Sequence, residues 1–396
     1  MYDFDEIIPR QGTDCVKFDL REAFFGDATV LPMWVADMDF RTPDFVVDAV
    51  KRRATHEIYG YSIRGAGWYK ALIDWLERRH SWTVQKDWIV FSPGVVPALN
   101  MAVLAYTQPG DSIIIQPPVY FPFMSAVEKH GRKLVYNPLI LKHGRLNIDF
   151  DDLAEKAKQG AKMLLLCNPQ NPGGSAWTVE ELTRLYQICR EHNILIFSDE
   201  IHSDLVLRGF KHTVLTTVDA NASDIVITAI APSKTFNLAG MATSALIIPN
   251  EELRRLFSET IENLHISLGT LFGNVASQAA YTHGDQWLGE LVEYLRRNLD
   301  MAELYFRKHI PKITMIRPEA TYMVWLDCRE LGLSDDELRD FMIKQARLGL
   351  NEGRTFGPGG EGFMRMNIAC PLVTLKEALE RLKGAVDGLK RPEGGA

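Results

Sequence analysis

The chain has 396 residues, enough for one large domain and a smaller appended one, and its 46% hydrophobic and 24% charged residues with a formal net charge of -7 are those of a globular protein. This acidic balance lacks the basic face of a nucleic-acid binder, so the expected partners are small molecules. Five scattered cysteines (Cys15, Cys167, Cys189, Cys328, Cys370) without a Cys-x-x-Cys pair, and ten histidines without ligand spacing, argue against a disulfide framework or structural metal and for reduced thiols in a cytoplasmic protein.

The start of the chain, Met-Tyr-Asp-Phe-Asp-Glu, is acidic and does not read as a signal peptide. No apolar stretch approaches the ~20 residues of a membrane span. Thr42-Pro43 signals a helix start. Apolar runs then predict strands at 88–91, 112–116, 134–136, 163–167, 194–198, 225–229 and 244–248, alternating with helical patterns. Most of these runs are unbroken, which fits strands buried on both faces of a mainly parallel sheet: an α/β fold. Thr178-x-x-Glu181, Ser334-x-x-Glu337 and Thr374-x-x-Glu377 read as capping boxes. The pattern is helical from about 250 to 309, and strands and helices alternate again from about 313, giving a smaller α+β unit. The expected organisation is an N-terminal segment 1–47 joining the small domain, a large domain 48–287 and a small domain 288–396. The Gly- and Pro-rich tail from Arg391 is expected to fray.

In a doubly wound sheet the ligand sits at the carboxyl ends of the strands, so the polar residues after each apolar run carry the functional signal. Gly94-Val95-Val96 follows the first run and opens a helical pattern at 97–105, offering free backbone amides to a phosphate, although such glycines also occur for steric reasons alone. Asp199 follows a buried apolar run, where an ionised carboxylate is costly unless a cation such as a protonated pyridine nitrogen pairs with it; a helix-capping role is the alternative. Ser233-Lys234 stands in a short loop after another run. Partial desolvation there suits a lysine to Schiff-base chemistry, although a lone lysine is more often solvated. Arg365, in Phe363-Met364-Arg365-Met366-Asn367, offers the planar fork that grips a carboxylate, or else forms a surface ion pair on an edge strand.

Asn171-Pro172-Gly173, Asp199-x-x-His202 and Ser233-Lys234, in this order and spacing, resemble the cofactor signature of the fold-type I, aspartate-aminotransferase-like pyridoxal 5'-phosphate enzymes. The likeness covers almost the whole chain. It implies a Schiff base between the cofactor and Lys234, Asp199 on the pyridine nitrogen, Asn171 on the phenolic oxygen, Tyr120 on the ring face and Arg365 on the substrate α-carboxylate. Tyr61, in Tyr59-Gly60-Tyr61, resembles the tyrosine that reaches the phosphate of a neighbouring subunit, which implies a homodimer with a shared site. Tyr322 receives no catalytic role, since a half-buried core tyrosine explains it as well.

Within that superfamily, the segments 32–40, 92–96, 199–204 and 233–237 resemble the MalY/PatB-type cystathionine beta-lyases, carbon–sulfur lyases acting on cysteine S-conjugates. His202 then stands where aminotransferases carry a tyrosine, Ala242 where they carry an arginine, and Ala231 where many have Ser or Thr. Those losses leave the phosphate to Gly94, Val95, Val96, Ser233 and Tyr61 of the partner subunit. The implied reaction is β-elimination to pyruvate, ammonia and a thiol. An amino-acid aminotransferase shares all steps up to the carbanion and stays open, as does a cofactor-binding regulatory protein with incidental lyase activity, for which no DNA-binding module is visible.

Overall fold

A computed structural model describes residues 2–389, so the tail from Arg391 lies outside the described residues. All seven apolar runs become strands of one sheet: β1 (Ile89–Ser92), β2 (Ser112–Ile115), β3 (Lys133–Tyr136), β4 (Met163–Cys167), β5 (Leu195–Asp199), β6 (Val226–Ile230) and β7 (Ser244–Ile247). Their order across the sheet is β1-β7-β6-β5-β4-β2-β3. The run from β6 to β3 is parallel, whereas β7 is antiparallel to both its neighbours. Every residue of β4 and β6 is buried, as expected of strands covered by helices on both faces. The two apolar faces of the sheet pack into separate clusters, with Ile113, Ile115, Leu165 and Phe197 on one side and Ile114, Leu164, Leu166 and Ile196 on the other. This alternation along each strand results from its two-residue period.

A second sheet of four antiparallel strands comprises β8 (Thr314–Ile316), β9 (Met323–Asp327), β10 (Asn351–Glu352) and β11 (Phe363–Asn367), in the order β8-β9-β11-β10. The helix Asp285–His309 runs between the two regions, and buries Trp287, Leu288, Leu291, Leu295, Leu299, Ala302 and Phe306 at three- and four-residue spacing. Its buried Asn298 amide donates to the carbonyls of Ile368 (3.0 Å) and Cys370 (2.8 Å), tying the helix to the end of β11. Leu31–Pro32 pairs in parallel with Leu348–Gly349, which brings the N-terminal segment against the second sheet. Nothing in the apolar patterning announces that two-residue pairing.

Two of the three capping boxes form. Thr178 accepts from the Glu181 amide at 3.2 Å while Glu181 accepts from the Thr178 amide at 2.8 Å, and Ser334 and Glu337 do the same. The third does not form, because the last helix, Leu372–Gly388, begins three residues earlier than that box requires, with extended Pro371 as its N-cap. Thr374 thus lies inside the first helical turn, where its side chain has no free amide of the right register to cap.

These assignments separate two similar substitutions. Thr178→Ala is expected to cost about 1 kcal/mol, whereas Thr374→Ala is expected to stay within about 0.5 kcal/mol of wild type. Urea unfolding of both variants measures the difference, and equal losses would contradict the assigned helix start.

Candidate active site

The carboxyl ends of β4, β5 and β6 and the amino end of antiparallel β7 meet at one edge of the large sheet, and a cavity of about 170 Å³ lies there. It is lined by Gly94, Val95, Val96, Tyr120, Asn171, Asp199, His202, Ser233 and Lys234, so nine residues singled out in the sequence converge on it. A second cavity, of about 670 Å³, shares Ala36, Tyr120 and Lys234 with the first and contains Arg365 in its wall. Tyr61 lines neither; it is 98% exposed in the segment before the helix Ala66–His80.

Asp199 is the last residue of β5, and it is buried. Its Oδ1 accepts one hydrogen bond, 3.1 Å from the Ile201 amide. The neighbouring carboxylates provide a contrast. Glu200 accepts from Ser198 Oγ (2.8 Å), the Leu215 amide (3.1 Å), Asn168 Nδ2 (3.3 Å) and His212 Nε2 (2.7 Å). Asp204 accepts from Trp75 Nε1 (3.1 Å), His80 Nε2 (2.9 Å) and Thr235 Oγ1 (2.9 Å). Although burial opposes it, the bonds from His80 and Thr235 keep the Asp204 carboxyl below the ordinary range. Asp199 lacks such a set: burial pushes it up to about 7, and the Ile201 amide and Lys234 offset only part of that. A buried carboxylate with one donor is a site for a cationic group.

Ser233 and Lys234 lie on a single helical turn, Pro232–Thr235, instead of the expected loop. Pro232 at the first position presets the turn, and the Phe236 amide closes it on the Pro232 carbonyl at 2.9 Å. Thr235, through its bond to Asp204, fastens the turn to the helix Ala66–His80. Lys234 Nζ donates to the Ala36 carbonyl at 2.7 Å, and the same oxygen accepts from the Tyr322 hydroxyl at 2.9 Å. Burial and then Arg365 push the Lys234 amine down to about 8, against the pull of Asp37 and Asp199. Tyr322 is therefore fully buried with its hydroxyl beside the lysine, not a half-buried core tyrosine.

Arg365 lies on β11, an interior strand of the small sheet and not an edge, opposite Trp325 in the register. Its Nη1 donates to Asn171 Oδ1 (3.0 Å), and its Nη2 to the Trp34 carbonyl (3.0 Å) and Asn351 Oδ1 (2.7 Å). Nε is buried without a partner. With one Nη1 hydrogen also uncommitted, two of five N–H groups remain for an incoming acceptor. Burial lowers the guanidinium to about 10. Because arginine only donates, the Asn171 atom facing it is the oxygen, which leaves the Asn171 amide nitrogen for a ligand.

His202 is held neutral, at about 3, by burial and then by the charges of Lys234 and Arg365, and its Nδ1 has no partner. Thr243 Oγ1, in the wall of the same cavity, is buried and likewise unpartnered. Thr243 escapes a sequence pattern that points to the residues after each strand. β7 runs antiparallel, so the residue before it reaches the same edge. Ala36 escapes it as well, since it acts through its carbonyl.

These groups fit pyridoxal phosphate. The amides at the N-terminus of the helix Val95–Tyr106, with Ser233 and the orphaned Thr243 hydroxyl, make an anion cradle; Asp199 suits a protonated ring nitrogen; and His202 and Asn171 retain uncommitted nitrogens.

The unpaired Asp199 has a thermodynamic signature in the cofactor-free protein. Its carboxyl holds a proton up to about 7, well above the unfolded value of 3.8, so the native state binds more protons between those values. Stability relative to Asp199→Asn is therefore expected to fall as pH rises from about 4 to 7, by roughly 4 kcal/mol in full. Urea unfolding across that range checks it, and parallel stability curves would contradict it.

Residues 29–382 match the family model described as aminotransferase class I and II. The chain is 45% identical to cystathionine beta-lyase PatB of Bacillus subtilis over 97% of this chain and 99% of that protein. It is 30% identical to protein MalY of Escherichia coli, over 98% of this chain and 100% of that one. The crystal structure of cystalysin from Treponema denticola, which contains a pyridoxal 5'-phosphate cofactor, superposes with a TM-score of 0.96 at 36% identity, covering 98% of this chain and 100% of that one. The chain belongs to the aminotransferase class I and II family of pyridoxal phosphate-dependent enzymes, within its MalY/PatB-type cystathionine beta-lyase group.

Proposed function

We propose that this protein cleaves the β-carbon–sulfur bond of L-cystathionine and related L-cysteine S-conjugates, with pyridoxal phosphate held through Lys234. The observation that carries the reading is a lysine amine lowered to about 8 on the wall shared by two cavities, one with the cofactor-fitting groups and the other with Arg365. Pyridoxal phosphate supplies an electron sink for charge developing on the substrate α-carbon. Asp199 would hold the ring nitrogen protonated, Asn171 and His202 the phenolic oxygen, Tyr120 the ring face, and Gly94, Val95, Val96, Ser233 and Thr243 the phosphate.

Arg365 binds the α-carboxylate with its two uncommitted N–H groups. The Lys234 amine, lowered to about 8 so that its neutral form is far more accessible than that of a free lysine, and steered by the Ala36 carbonyl, takes the α-proton. The electron pair released there expels the thiolate from the β-carbon. The net reaction consumes one water and yields one thiol, one pyruvate and one ammonia. The cystathionine beta-lyase relative supports this outcome over transamination, as does Ala242 in the place of the aminotransferase arginine.

The same reading gives Tyr61 to the phosphate site of the second protomer of a homodimer. Supporting it, Ile58, Tyr59, Tyr61 and Ile63 are exposed beside a loop with exposed Leu264, Ile266 and Leu268, and Arg64 joins the two by bonds to the carbonyls of Ser267 (2.7 Å) and Leu268 (2.8 Å). Five free thiols, four of them buried, support a cytoplasmic setting. The pairing of Leu31–Pro32 with Leu348–Gly349 supports grouping the segment 1–47 with a small domain 288–396.

With L-cystathionine and no added 2-oxo acid, pyruvate, ammonia and free thiol are expected in equal amounts. Turnover that requires a 2-oxo acid, with sulfur retained on carbon in the product, would replace the lyase reading by the aminotransferase one.

A further inference from the structure

Resting on the lyase reading, the two cavities allocate the groups around the substrate α-carbon. Arg365 would claim the carboxylate, and the cavity of Asp199 and His202 would hold the cofactor and draw the amino group toward it. Lys234 faces the α-proton from the wall between them. The remaining substituent, the one bearing sulfur, is directed into the cavity of about 670 Å³.

The wall of that cavity is mostly apolar: Phe24, Phe25, Trp34, Met342, Leu348 and Leu350 line it. It is also built to stay in place. The Phe24 and Phe25 rings lie 4.5 and 5.4 Å from that of Trp34, whose Nε1 donates to the Lys17 carbonyl at 3.0 Å. Lys17 is in turn buried, with its ammonium 2.8 Å from Asp39. Away from Lys234 and Arg365, the charged residues in the lining are Arg339 and Glu352. They already pair with each other at 3.0 Å, and Glu352 pairs also with Arg354 at 2.7 Å.

We infer that this chamber selects L-cysteine thioethers with a bulky, uncharged aliphatic or aromatic group on sulfur, and favours them over L-cystathionine. The distal ammonium and carboxylate of cystathionine would enter a mostly apolar chamber whose two further charges, Arg339 and Glu352, already neutralise each other, so both groups lose water there for a weaker return than a free partner would give. An uncharged substituent carries no such cost and displaces water from the aromatic wall. Phe24, Phe25 and Trp34 are then specificity determinants, supplied by an N-terminal segment outside the cofactor cavity.

The test compares kcat/KM for S-benzyl-L-cysteine, L-cystathionine and β-chloro-L-alanine, whose leaving group is chloride, in the holoenzyme and in Phe24→Ala and Arg339→Met. Phe24 is 52% exposed, so its truncation removes little core. The expected result is a preference of about tenfold or more for S-benzyl-L-cysteine over cystathionine, with Phe24→Ala lowering the ratio of S-benzyl-L-cysteine to β-chloro-L-alanine several-fold. Cystathionine used at least as well as the benzyl thioether, with Arg339→Met impairing cystathionine selectively, would overturn the inference and make the chamber a zwitterion site. Absence of pyruvate from all three compounds, β-chloro-L-alanine included, would instead overturn the lyase reading beneath it.

Discussion

The site depends on a carboxylate buried with too few partners. Within six residues the chain buries Asp199, Glu200 and Asp204, and gives the last two a full set of donors. Asp199 receives one backbone amide and is pushed up to about 7. The protein around it is rigid, because Glu200 and Asp204 fasten the flanking backbone to β6, to the helix Ala66–His80 and to the turn that bears Lys234. The cost of ionising Asp199 is thus retained in the fold, and a cationic ring nitrogen relieves it.

Desolvation shifts every ionisable group of the site toward its neutral form: Asp199 upward, Lys234 to about 8, His202 to about 3 and Arg365 to about 10. The consequence differs from group to group. For Lys234 it frees an amine able to accept a proton at physiological pH; for His202 it keeps an uncharged ring whose Nδ1 awaits a partner. Arg365 stays charged even so, since about 10 is far above physiological pH, and its buried, uncommitted Nε gives an arriving carboxylate a strong interaction in a poorly solvated place.

Much of this is legible in the sequence because the large sheet announces itself. Its strands are short apolar runs ended by polar residues, and in a parallel sheet those ends converge, so Gly94, Asn171, Asp199 and Lys234 stand out by their places at or just beyond the ends of such runs. The same logic fails for Thr243, because an antiparallel strand presents its beginning at that edge. It fails for Ala36 because a carbonyl carries no side-chain signal, and for Tyr322 because neither its burial nor its hydroxyl's partner is local. The Thr374 box fails for a third reason: the capping pattern is a local preference, and extended Pro371 has already started the helix. The large cavity is invisible in sequence, since its wall joins Phe24 and Trp34 to Leu348 and Leu350 across most of the chain.

The central claim is that Lys234, on the wall between the two cavities, is the residue joined to the cofactor. Borohydride reduction of the holoenzyme, then proteolysis and mass spectrometry of the peptides, reads the attachment directly. The account predicts a single pyridoxyl group per chain, on the peptide containing Ser233-Lys234-Thr235, and its loss from that position in Lys234→Ala. Stoichiometric label on any other lysine, with Lys234 unmodified, would contradict it.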